Sequence, residues 1–142
     1  MVLNVTFEKE QAINLLYNSM CNGGLSELAY SSVIVDWDSQ HNFNNYQNAK
    51  NRLLKKGQNN ICREDVWTEI LLFGDTIQFT DYEGDEEIIS LHLEDAIKNC
   101  NSLSVERKIE LLELIDEDNC NADAFDYCNA IQLCLFGDVI YG

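Results

Sequence analysis

The chain of 142 residues predicts an α+β fold: a single helix-rich domain with a small antiparallel sheet built on a β-hairpin near 76–91. Three observations carry this. Apolar residues recur at helical spacing over most of the chain, and one stretch, "DTIQFTDYEGDEEIISLHL", alternates around a glycine turn. The length and the 46% hydrophobic content suit one sizeable core, with a near-neutral part over 1–63 and a strongly acidic part over 64–142.

Thr6 is placed to cap a first helix, whose Ile13, Leu16, Tyr17 and Met20 fall on one face and which Gly23-Gly24 ends. "LSELAYS" continues as a short helix, and the β-branched run in "SVIVDWD" favours a strand. Phe43, Tyr46, Ala49 and Leu53 keep helical spacing through an Asn-rich segment that Gly57 closes. The next helix begins near Asn60, carries Glu64 and Asp65 in its first turn and stops at Gly74, with Val66, Ile70 and Phe73 lining one face. In the hairpin, Ile77, Phe79 and Asp81 share one side, the turn falls at Glu83-Gly84 or Gly84-Asp85, and Ile88 to Leu91 return. "LEDAIKNC" is a short helix. A firmer one follows, capped by Ser102 or Ser104, with Val105, Ile109 and Leu112 inward. The last helix ends at Gly137. The near-repeat "LFGDTI" and "LFGDVI" suggests a shared helix-to-strand exit, which would make the C-terminal "DVIY" a strand beside the hairpin.

The net charge of -16 is unevenly placed. Residues 1–63 hold five of the 25 acids and six of the nine bases, giving +1; the remaining twenty acids face only Lys98, Arg107 and Lys108, giving -17. Such a surface repels phosphates, so direct nucleic-acid binding through the acidic half is not expected and a positively charged protein partner is. No apolar run is long enough for a membrane span, and the N-terminus lacks a basic start and apolar stretch, so a cytoplasmic protein is expected. Six cysteines show no C-x-x-C and no tight framework, which points to free thiols.

The candidate chemistry is thin. "DEDNCNADAFD" offers Asp116, Asp118 and Asp123 as oxygen donors but has Cys120 and Asn121 where a calcium loop needs a donor and a glycine. Asp81 with Glu86 could form a carboxylate pair across the hairpin, yet acids at a tip are normally solvated and lack the pocket that acid–base work requires. His92, at a strand-to-helix junction, fits a cap better than a base. No metal or cofactor is therefore assigned. The acids are patterned differently: Glu106, Glu110, Glu113 and Glu117 align on one helix face, which costs the helix a little through like-charge repulsion. Eleven residues rise about 16 Å, a carboxylate roughly every 5 Å. A DNA strand presents a charge about every 3.4 Å, so the stripe has the density to imitate a phosphate backbone. The competing reading is a solvated outer face partly neutralised by Arg107 and Lys108. With Asp81, Glu83, Asp85, Glu86 and Glu87 of the hairpin, the four stripe residues make up the expected partner-binding set.

At "REDVW..IL..G", "D.EG........L.DA" and the terminal "FGDVIYG", the sequence resembles small acidic proteins of bacteriophages and bacterial mobile elements. The likeness covers mainly 63–97 and 133–142 and carries no site residues. It implies a setting in which compact acidic proteins inhibit host nucleases or DNA-binding proteins by occupying a basic groove. The expected function is thus a non-enzymatic acidic inhibitor that docks on a basic nucleic-acid-binding or defence protein as a nucleic-acid mimic. A toxin-neutralising immunity protein and a metal-dependent hydrolase using hairpin carboxylates are the alternatives.

Overall fold

The computed structural model describes residues 5–116 and 121–141. The elements run α1 (Lys9–Cys21), α2 (Gly24–Tyr30), β1 (Val33–Val35), α3 (Gln40–Lys55), α4 (Arg63–Phe73), β2 (Ile77–Asp81), β3 (Glu87–Leu91), α5 (Leu93–Asn101), α6 (Val105–Ile115) and α7 (Ala124–Phe136). The expected α+β class is the observed one. The antiparallel sheet has the order β1-β2-β3, with Val33 opposite Asp81, Val35 opposite Phe79 and Ile77 opposite Leu91. No described helix is long and apolar enough to cross a membrane.

α1 is the hub, because it buries Ala12, Leu15, Leu16 and Met20 and packs against α4, α5, α6 and α7. Its one deeply buried hydroxyl is satisfied locally, Ser19 donating to the Leu15 carbonyl at 2.6 Å. Val33 and Val35 of β1 and Ile77 and Phe79 of β2 complete the core from the sheet side, as alternation requires. α3 and α4 are clamped by a buried carboxylate: Glu69 accepts from Arg52 Nε at 3.2 Å and Lys56 Nζ at 3.3 Å. Beside them, Trp37 and Trp67 stack with centroids 5.3 Å apart, and the Arg63 guanidinium lies 5.7 and 5.6 Å from the two rings.

Five local expectations are corrected. α1 is capped at Glu8, not Thr6, and Gln11 Oε1 reaches back to accept the Glu8 N–H at 3.1 Å. α4 is capped at Cys62, whose N–H is taken by Asp65 Oδ2 at 3.1 Å. Phe73, expected inward, is 63% exposed and lies under the Arg52 guanidinium at 3.8 Å; Trp67 and Leu71 fill the interior instead. α6 turns Leu111 into the core and leaves Val105 and Ile109 exposed, since α1 is its principal packing partner and accepts a narrow stripe. The C-terminal 138–141 segment forms no strand. Gly137, like Gly74, ends its helix in the left-handed region (φ +75 and +99), so the shared exit is real. After it, the fully buried Gln132 takes the N–H groups of Ile140 and Tyr141 at 2.9 and 2.8 Å, supplying the bonds a neighbouring strand would have made.

Candidate partner-docking groove

α6 and α7 both lean on α1 but make only marginal contact with each other. Between them runs a cleft of about 740 Å³. Ser104 fixes the start of α6 by accepting the Arg107 N–H at 3.3 Å, and Asp123 with Asp126 caps α7 reciprocally at 3.1 and 3.0 Å. These caps fix where the two helices begin. One wall of the cleft carries Glu106, Glu110 and Glu113; Asp126 and Asn129 stand on the other; the buried Leu111, Ala130 and Leu133 form the floor. The three glutamates are exposed, and their carboxylates form no hydrogen bond or ion pair with another described residue. Of the two nearby bases, Arg107 lines the cleft, while Lys108 is turned away and donates to the Val5 carbonyl at 2.9 Å. The stripe thus borders a groove and is not a plain outer face. Glu117 lies outside the described residues.

The hairpin acids divide. Glu83, Asp85, Glu86 and Glu87 are exposed around the tip, whereas Asp81 is buried. Asp81 Oδ1 accepts the N–H groups of Glu83 and Gly84 at 3.1 and 3.3 Å, closing the turn, and Oδ2 accepts the Tyr141 hydroxyl at 2.6 Å. That hydrogen bond, with burial adding to it, pushes the Tyr141 phenol up to about 12. Asp81 is therefore an internal tie between the hairpin and the C-terminal segment, and it is removed from the exposed set. Its oxygens are occupied, and Glu86 is out at the tip, so the two do not form a facing pair. The left-handed residue of the turn is Glu86 (φ 55), not a glycine. No hairpin residue lines the α6–α7 cleft, so the tip and the stripe are two separate acidic features.

His92 caps α5, its Nδ1 accepting the Glu94 N–H at 3.3 Å. Asp123 is the α7 cap, Asp118 and Cys120 lie outside the described residues, and no group of three or more His, Cys, Asp or Glu among the described residues is arranged to hold a metal. Cys21, Cys62, Cys100, Cys128 and Cys134 are unbridged. The opposite wall, Asp126 and Asn129, is marked by no spacing or motif in the sequence, because which way a helix faces is a tertiary matter. No family model, curated protein or solved structure matches the chain.

Proposed function

We propose that the protein is a non-enzymatic binding protein that captures a basic element of a protein partner in the α6–α7 groove. The observation that carries this is the cross-section of the groove: carboxylates on both walls above an apolar floor. A helix or loop with lysines or arginines flanking an apolar ridge matches it, with the ridge on Leu111 and Leu133 and the cations at the rims. The cleft is net acidic, four carboxylates against Arg107, and such an excess of one charge also steers association. The glutamates, repelling one another along α6, receive from such a partner the counter-charges the chain withholds. A nucleic-acid-binding or defence protein supplies such an element, and the resemblance to small acidic proteins of phages and mobile elements supports an inhibitor of that kind. The exposed hairpin tip adds a second, protruding contact of the nucleic-acid-mimicking sort.

Affinity capture from cell lysate at low and high salt, with identification of the eluate, tests the reading. The variant Glu106→Lys/Glu110→Lys/Glu113→Lys should lose the captured basic protein while its circular dichroism stays unchanged. Wild-type capture should fall steeply with salt, since exposed charges are screened over about 8–10 Å at physiological ionic strength. Replacing Asp85, Glu86 and Glu87 by serine should weaken capture less. A complex indifferent to salt or to the reversed stripe overturns the proposal, and a captured toxin redirects it to an immunity protein.

A further inference from the structure

Two thiols face each other in the core where α5 meets α7. Cys100 Sγ and Cys134 Sγ are 3.8 Å apart, 34 residues apart in the chain, and both are buried. The same helix ends are held together by a second bond, Asn99 Nδ2 donating to the Cys134 carbonyl at 2.8 Å. A Cβ added at Gly137 would meet Asn99 Oδ1 at 3.3 Å, so the chain leaving α7 lies tight against the Asn99 side chain. Cys100 is the penultimate residue of α5, in the terminal turn where helices open most readily.

We infer that Cys100 and Cys134 are a peroxide-oxidisable dithiol whose disulfide staples α5 to α7. The Cys100 sulfur attacks one peroxide oxygen, the O–O bond breaks, and hydroxide leaves and is protonated to water, so Cys100 becomes a sulfenic acid. The Cys134 sulfur then attacks the Cys100 sulfur. The S–S bond forms, the S–O bond breaks, and the departing hydroxide leaves as water with the Cys134 proton. The balance is two thiols and one hydrogen peroxide to one disulfide and two waters. Either sulfur can donate in this contact; Cys100 takes the first role because it stands in the terminal turn of α5 and the contact holds its thiol below the usual range, while the same contact, with burial, pushes Cys134 well above it. Cys128 has a different neighbour, Gln132 Nε2 at 3.7 Å, and Cys21 and Cys62 are exposed.

The full-length folded protein is exposed to hydrogen peroxide, denatured, alkylated and mapped by peptide mass spectrometry. The expected dominant cross-link joins the peptides of Cys100 and Cys134, with the melting midpoint raised by several degrees and restored by dithiothreitol, because the bond closes a long loop. Recovery of both residues as alkylated thiols under conditions that oxidise Cys21 and Cys62 overturns the inference, as does linkage of either to another cysteine. Cys100→Ala should abolish the cross-link. Should that variant fold poorly, Cys21→Ser/Cys62→Ser, changed only at exposed positions, must retain it; loss there also overturns the inference.

Discussion

Asp81 illustrates how much one residue's surroundings decide. In sequence it is one of several acids beside a turn, yet its carboxylate accepts two backbone N–H groups and a tyrosine hydroxyl. Hydrogen bonds to an ionised group contribute about 1.5–3 kcal/mol each, so Tyr141→Phe should lower stability by an amount in that range, read by urea denaturation. The pH dependence has a definite sign. The folded Tyr141 holds its proton up to about 12 against an ordinary value of 10.0. A raised folded value gives stability that is complete below pH 10 and is lost as pH rises through 10 to 12. Wild type should therefore lose part of its stability over that alkaline window, and Tyr141→Phe should lose less of it.

Among the elements, the hairpin and the α6–α7 pair behave differently. The hairpin turn places Glu86 at φ 55, a conformation that costs an L-residue about 1–2 kcal/mol and glycine little. Glu86→Gly should raise stability by about 0.5–1 kcal/mol, after the entropy that glycine adds to the unfolded chain. An unchanged or lowered thermal midpoint would show the turn to be unstrained. The hairpin itself was readable because strand alternation and a turn glycine are local signals. The α6 stripe was readable as a stripe for the same reason, from the four-and-three spacing of Glu106, Glu110 and Glu113. That it borders a groove was not, because α6 and α7 diverge only through their separate packing on α1. The same limit explains the misplaced inward face of α6: Val105 and Ile109 had the right period but the wrong phase for a helix that buries Leu111.

For the whole molecule, the charge imbalance is sharpened by the fold. Arg52 and Lys56, two of the nine bases, are committed to the buried Glu69, and Lys108 to a backbone carbonyl. Apart from Glu69, the acids of residues 64–142 are set against only Lys98, Arg107 and Lys108 in that part, so self-repulsion works against the compact state. Raising ionic strength from very low to physiological should increase the melting midpoint by screening that repulsion. A midpoint that is flat or falls with salt would mean that attractive pairs outweigh the repulsion. If the proposed capture of a basic partner holds, the same titration should weaken it, so stability and binding should respond to salt in opposite directions.

Helices, the central hairpin, the glycine exits at Gly74 and Gly137 and the split of charge were determined by the sequence alone. Each depends on residues within a few positions of one another, or on composition. Only the tertiary structure decided that Asp81 is a buried tie, that Gln132 replaces a fourth strand, that Cys100 meets Cys134, and that Asp126 faces the glutamate stripe. Those outcomes depend on which element packs against which, through contacts between residues far apart in the chain that no local period encodes.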